Sequence, residues 1–429
     1  MRKLNPEAIR LPEGFAISVA EKGLTTPINL TFTENGQMLI ADAGVTSGSG
    51  KVLRRTGKGF EVVAEGFNPP LTGINYHHGN IYVSHRGFVT VVKPDGTKRD
   101  IIAGLPSFGD HHNNRVVFGP DGKMYFGQGT ATNSGVVGED NSWAKEYPFF
   151  HDYPGMSIPL RGQNFKTNEF LTETKNRVAY TGAYSAFGET THIGETVRGR
   201  IRASGSILRA NPDGSELELV AWGLRNPFRL KFDDRQRLFA TNHGMDVRGS
   251  RPVENSPDEF QWIRPGTWYG WPDYTGGLPV TLRMFHPKGK PHPRFLLARH
   301  PMQPPRPIAV FPPHSATMGF DFNRNAAFGS VDDVFLAEFG SGAPLTTGGE
   351  PLPHVGHRVS RVQVNTGNVS PFAINRSGRA ASETDEGGLE RPIDVVFGPG
   401  GEMYIVDLGL FSGGTARPKT GVIWKVVKN

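Results

Sequence analysis

Asp110-His111-His112-Asn113-Asn114-Arg115 is the densest chemical cluster in the sequence. A histidine beside an acid has the pKa range for general-base work. Two histidines that only fill a packed interior are the alternative, and residue type alone leaves both open. Arg225-Asn226-Pro227 is the second candidate. Its arginine lies in a Gly-Leu-Arg-Asn-Pro turn, with a proline fixing the backbone after it. A purely structural turn arginine reads equally well. Glu338, followed by Phe339-Gly340-Ser341, is a further acid, with pairing to an arginine as its simpler role. The sequence holds no His-Glu-x-x-His pair, phosphate loop, Gly-x-Ser-x-Gly elbow or dinucleotide fingerprint. Those absences count against a nicotinamide enzyme, a phosphoryl transferase and an ordinary serine hydrolase.

The elements that must position these residues show up as an internal repeat. An apolar-x-aromatic strand, a Gly/Asp/Asn turn and a second apolar strand ending in a polar residue recur six times, with the recurring aromatic at 32, 76, 118, 232, 322 and 397. The copies are Pro27–Phe32 with Met38–Asp42, Leu71–Tyr76 with Ile81–His85, and Asn113–Phe118 with Met124–Gln128. Then come Pro227–Phe232 with Leu238–Asn242, Thr317–Phe322 with Val334–Glu338, and Pro392–Phe397 with Met403–Asp407. Alternation of period two broken by turns is a hairpin pattern. The early spacing matches one four-stranded blade of about 40–50 residues. The expectation is an all-β, six-bladed β-propeller spanning 1–429 as one domain, with insertions at about 130–200, 246–313 and 341–390. The strand 421–427 is expected to pair with Phe15–Ala20 and close the ring, removing exposed edges.

The repeat also places a site. Asp42, His85, Gln128, Asn242, Glu338 and Asp407 end the second strands, and symmetry sets them at one height around the channel. Satisfying turn backbone is the favoured role for Asp42 and Asp407, and a channel hydrogen bond is at least as good a reading of His85. His111, His112, Arg225, Asn226, His314, Ser315 and Arg391 open first strands and gather on the same face. Loops on a rigid scaffold are where ligand sites form.

Composition sets the outer limits. Fifty-five glycines and 34 prolines in 429 residues disfavour a helical bundle. The chain has no cysteine, which removes disulfides, thiolate metal sites and covalent haem attachment. The net charge of +6 comes from basic residues scattered among acidic ones. That argues against nucleic acid as a partner and leaves open a basic interior that attracts a small anion. No apolar run approaches a membrane span, and the first residues show no signal-peptide core.

At these residues the sequence resembles the glucose/sorbosone dehydrogenase family of soluble quinoproteins. The marks are Asp110-His111 with Arg115, Gly119-Pro-Asp-Gly-Lys-Met-Tyr125, Gly223-Leu-Arg-Asn-Pro227 and Asn242-His-Gly-Met-Asp246. Further on come Pro257-Asp-Glu259 leading to Trp268-Tyr-Gly-Trp-Pro272, Ala337-Glu-Phe-Gly-Ser341 and Arg391-Pro-Ile-Asp394. The resemblance implies pyrroloquinoline quinone (PQQ) and Ca2+ on one propeller face, and oxidation of a sugar (aldose-like) or related alcohol. His111 then takes the hydroxyl proton, and Asp110 and His112 belong to the same cluster. Arg225 and Asn226 hold the quinone or the developing charge, and Arg391 matches a quinone-binding arginine. Gln128 and Asn242 are further cofactor candidates, and the carbonyls of Gly244 and Met245 match the calcium-binding turn. Two features depart from the family pattern: Phe339-Gly340-Ser341 replaces a segment with a quinone-contacting lysine, and Ile393 replaces a second arginine. Trp143, Tyr147, Phe149-Phe150, Trp262, Trp268 and Trp271 either wall a cyclic substrate or pack the insertions down.

Three functions follow in order of preference. The first is the quinone-dependent dehydrogenase, passing electrons to a separate acceptor in a periplasmic or secreted setting. The second is a calcium-dependent lactonase using Glu338, Asn242 and Asp407. The third is a propeller serving only as a binding scaffold.

Overall fold

The computed structural model describes residues 2–172, 177–352, 354–412 and 415–429. Among these, strands and short 3-10 turns make up the regular structure and no α-helix occurs. Six antiparallel sheets follow one another around a channel, each running outward from its innermost strand. The innermost strands are Pro27–Phe32, Leu71–His77, Val117–Phe118, Pro227–Phe232, Thr317–Phe322 and Pro392–Phe397. The six-bladed, all-β propeller is therefore the observed architecture, and its blades are the six repeat copies in order. The last blade is completed by Phe15–Leu24, which pairs antiparallel with Gly421–Lys428 from Phe15↔Lys428 onward, closing the ring as expected. Ile9–Arg10 adds an edge strand to the fifth blade.

Two expectations change in detail. The stretch 246–313 is not all insertion, because Asp258–Ile263 and Ala309–Phe311 are the outer strands of the fourth blade. Likewise Arg358–Gln363 and Asn368–Asn375 inside 341–390 complete the fifth. Of these, Arg358–Gln363 is legible in the sequence as the alternating strand His357–Val362. In the third blade the expected strand 113–118 keeps ladder pairing only at Val117–Phe118, with one bridge at Asn113↔Gln128. Side chains replace the ladder there. Asn113 accepts from the Gly87 amide and the Ser107 hydroxyl, and Asn114 donates to Asn226 and to the Pro227 carbonyl.

Apolar residues of neighbouring blades interlock to form the core. Phe239 and Phe260 of the fourth blade meet Phe320, Phe322 and Leu336 of the fifth. Trp424, Ile405 and Val395 of the sixth meet Phe335 and Phe372 of the fifth. Burying each such ring stabilises the fold by about 1.5–3 kcal/mol relative to exposure. The segment 129–205 carries two small two-stranded sheets, Ile158–Arg161 with Ile193–Val197 and Asn164–Asn168 with Val178–Gly182. It packs against Trp222, Trp268, Trp271 and Phe285 through Val136, Leu160 and Tyr184.

At the waist of the channel, neighbouring inner strands approach each other closely. Gly73 lies against Arg115, where an added Cβ would come within 2.6 Å of the arginine Cβ, and Gly319 lies against Asp394. These two glycines let charged side chains cross the waist between inner strands. At Gly319 an added Cβ would fall 1.9 Å from a carboxylate oxygen of Asp394. Gly319→Ala is therefore expected to lower stability by about 1–3 kcal/mol, read as a drop in the thermal midpoint. A variant that melts with the parent would mean that the inner strands do not approach this closely.

Candidate functional site

Where the first strands begin, a cavity of about 220 Å3 opens between the third, fourth and fifth blades. His111, Arg225, Asp246, Asp258 and His314 line its polar side, and Met318 and Phe339 its apolar side. Its position follows from the turn that opens each inner strand. Asn242, at the end of a second strand, accepts hydrogen bonds from the amides of both Arg225 and Asn226, each at 3.0 Å. That fixes the turn, and Pro227 then starts the strand.

His111 is seated by its Nδ1, which lies 3.0 Å from the Thr130 carbonyl. A carbonyl only accepts, so Nδ1 carries the proton and Nε2 keeps its lone pair. Gly129 makes room for the ring: a Cβ there would sit 2.3 Å from that of His111 and 2.7 Å from the Asn226 side-chain oxygen. Burial, with Arg225, His243 and Arg248 nearby, holds His111 well below its ordinary value of 6.5. The imidazole is thus neutral across the physiological range.

Arg225 is buried and held in place. Its Nη2 donates to Asp246 at 2.8 Å and its Nε to the Asn133 carbonyl at 3.1 Å. Arg248 ties the same carboxylate to two others, reaching Asp110 at 2.5 Å, Asp140 at 2.7 Å and Asp246 at 3.1 Å. Burial alone would raise Asp246, but Arg225, His314 and Arg248 hold it well below the usual carboxylate range. Asp140 and Asp258 are each pushed up to about 6, mainly by burial. Two guanidiniums therefore face four carboxylates in and beside this cavity, leaving a local surplus of negative charge.

Other expected residues take different places. Asp110 turns away from His111 and accepts from Arg248, Asn141 and the Trp143 indole. His112 puts Nδ1 on the Ser107 carbonyl at 2.9 Å and does not line the cavity. Gln128 is fully buried, donating to the carbonyls of Pro106 and Gly129, so its amide is spent within the fold. Asn242 positions Arg225 and Asn226, and its own amide donates to Glu259. Arg391 sits behind the cavity wall, donating to the Ser341 carbonyl at 2.9 Å with its guanidinium over the Phe339 ring. Gly244 lines the cavity, and its amide donates to Asp258, as that of Met245 does to Ser256. The carbonyls of Gly244 and Met245 accept no hydrogen bond among the described residues. Glu338 is engaged by Arg358 and Ser360, and Asp407 by Arg2, Trp424 and three backbone amides. Those two acids and Asn242 therefore do not converge on a shared centre. Trp268 and Trp271 are buried among the insertions, with Trp271 lining a small space beside Arg225 and Gly244, whereas Phe149 is exposed.

Asp246, Asp258, Arg248 and Asp140 carry the site's electrostatics without having been singled out for chemistry. Asp246 and Asp258 lay inside quoted motifs. Arg248 meets Asp110 across 138 residues of sequence, and no local pattern announces such a contact.

Several comparisons bear on this arrangement. The family model "Glucose / Sorbosone dehydrogenase" matches residues 174–339. A quinoprotein glucose dehydrogenase B of Acinetobacter calcoaceticus is 28% identical over 197 residues, 46% of this chain and 32% of that protein. The HIPL1 protein of Arabidopsis thaliana is 26% identical over 46% of this chain and 23% of that protein. The alignments thus span about a third and a quarter of these relatives. Among solved structures, a Trichoderma reesei carbohydrate-active enzyme of family AA12 superposes with a TM-score of 0.61 at 15% identity, covering 100% of this chain and 99% of that one. A PQQ-bound aldose sugar dehydrogenase of Streptomyces coelicolor superposes with a TM-score of 0.53 at 19% identity, covering 97% and 100%. The structural matches share the fold. The sequence matches bear out the resemblance to the glucose/sorbosone dehydrogenase family.

The buried histidines make stability pH-dependent. His85, His112, His243 and His357 are all lowered to about 4, chiefly by burial. The unfolded chain binds protons at these sites from about 6.5 downward while the fold resists them, so stability is lost between pH 6.5 and about 4. Asp140, Asp152 and Asp258, raised to about 6, and Glu259, Glu390 and Asp394, also raised by burial, act in the opposite direction, while lowered His111 and Asp246 add to the loss on acidification. The urea midpoint is expected to fall as pH drops from 6.5 to 4. A midpoint that holds or rises across this window would contradict the neutral, buried state of the histidines.

Proposed function

We propose that the protein is a PQQ- and calcium-dependent oxidoreductase that oxidises the carbinol of a sugar or related alcohol, with His111 as the base. One observation carries this reading. His111 presents an unprotonated Nε2 in a cavity that also contains Arg225, the arrangement that removal of a hydroxyl proton beside a stabilising cation requires. The family match and the quinoprotein and PQQ-bound relatives point the same way.

The donor chemistry fits the implied groups. The uncommitted carbonyls of Gly244 and Met245, with the Asp258 carboxylate beside them, are hard oxygen donors of the kind calcium takes. The carboxylates around Arg225 would be offset by a divalent cation held on these oxygens, which would let an anionic quinone sit beside them. When bound, PQQ supplies a carbonyl that accepts hydride, and calcium polarises it. Arg225 and Asn226 would hold the quinone, and Arg391 would act through the Phe339–Ser341 segment that it props. His111 takes the hydroxyl proton on Nε2 while its Nδ1–H stays on the Thr130 carbonyl, so the ring keeps its orientation through the step. Because its pKa is depressed, the basic form is fully populated at neutral pH. These 429 residues have no cysteine to attach a haem covalently, so electrons would leave the quinone for an acceptor outside them.

Purified protein given calcium and PQQ should reduce a dye with at least one aldose. His111→Ala should lower kcat by about 10²–10⁴-fold while leaving the PQQ absorbance titration unchanged. Chelating calcium should abolish that titration. Failure of PQQ absorbance to saturate in the presence of calcium overturns the reading.

A further inference from the structure

At the opposite mouth of the channel, where the first strands end, lies a second cavity of about 410 Å3. The aromatics that mark the repeat rim it: Phe32, Tyr76, Phe118, Phe232 and Phe397, all half-buried. Arg115, Arg229 and Lys231 form its charged wall.

The charges in this wall do not balance. Arg229 pairs with Asp394 at 2.5 Å, and Lys231 pairs with Asp321. Arg115 is left over. Its nearest carboxylate is the same Asp394, at 3.8 Å, already taken by Arg229. No hydrogen-bond acceptor reaches the Arg115 guanidinium among the described residues, and its Nε and that of Arg229 are buried without partners. Arg324, at the lip, is exposed and lies 3.5 Å from exposed Asp234. Three inner cations thus share two carboxylates, and the uncompensated charge is a nearly enclosed guanidinium whose side chain is 13% exposed. Burial and the like charge of Arg229 lower Arg115 to about 9, the mark of a cation short of partners. A buried ion short of counter-charge is costly, and Asp394 and Asp321, each already paired with another cation, offset this one only in part.

We propose that this lower mouth is a binding site for a small aromatic carboxylate, with the carboxylate on Arg115 and the ring against the phenylalanine rim. A guanidinium pairs with a carboxylate through two parallel hydrogen bonds. A single negative charge cancels the single surplus positive one. The rim offers edges and faces of aromatic rings to a planar body, and the volume lies within the range of small-molecule pockets. The site is separate from the His111 cavity, with which it shares no lining residue. It therefore stands whether or not the upper face uses a quinone.

Calorimetric titration of the full chain with benzoate is expected to show one saturable site, tighter than acetate and inorganic phosphate by about tenfold or more. Arg115→Met should weaken benzoate by at least about tenfold. That variant leaves both remaining ion pairs intact, so it should fold and melt no lower than the parent. Phe118→Leu should weaken benzoate while leaving acetate unchanged. His111→Ala, in the upper cavity, should leave benzoate binding unchanged. Absence of saturable benzoate binding, or binding insensitive to Arg115→Met, overturns the proposal. So does acetate or phosphate binding as tightly as benzoate.

Discussion

Buried polar side chains at the ends of the second strands hold the chain leading into the first strands, and the functional face depends on that bond. Asn242 caps the amides of Arg225 and Asn226, and Asp407 caps those of Glu390 and Arg391. His85 accepts from the Asn68 amide, Asp42 from the Thr26 hydroxyl, and Gln128 meets Ser107 and Pro106. Only Glu338 departs, bonding Arg358 and Ser360 in its own blade. Leaving such a donor unpaired in the interior costs about 1–3 kcal/mol. The peg therefore selects one conformation of the turn, and with it the direction in which the next side chains project. Arg225 reaches the cavity because Asn242 holds its backbone.

This explains what could be read from the chain and what could not. The ring of six polar residues was visible because it repeats with the aromatic at a fixed offset, and the same repeat gave blade number and closure. For Asp42 and Asp407 the backbone-satisfying role was legible from residue type. Gln128 and Asn242 looked like ligand groups because a buried amide and a ligand-binding amide share one sequence signature; only the partners tell them apart. The tautomer of His111 was likewise beyond reach, since it depends on the carbonyl of Thr130, nineteen residues away. Arg248 was missed for the same reason on a larger scale. Its three carboxylates come from a strand-leading loop, the first insertion and its own turn, and nothing local links them.

The two departures from the family pattern also acquire a physical meaning. Gly340 has φ +95°, and a Cβ there would strike the His357 ring at 2.4 Å, so the middle of this segment has no room for any side chain, and Ser341 stands at the lysine's place. Arg391 holds the carbonyls of Phe339 and Ser341 from behind. Ile393 is 5% exposed and packs in the core that joins the sixth, first and second blades. A charged side chain in that setting would need a partner that the surrounding Leu30, Ile74 and Val406 do not offer. Both substitutions therefore follow from packing that this chain has adopted throughout the neighbourhood.

Net charge proves a poor guide to what such a protein attracts. The overall +6 is spread over a surface where salt and exposure weaken each contribution. The two cavities carry opposite local surpluses: carboxylates around Asp246 and Asp258 above, a guanidinium at Arg115 below. The charged side chains in both are largely buried, where charge is screened far less than at the surface. The packed waist keeps them from neutralising one another, since Asp394 is already shared between Arg115 and Arg229. A ring of near-identical blades can thus present faces of opposite character. The repeat fixes where inward side chains stand, and the identity of a few of them decides which sign each mouth will accept.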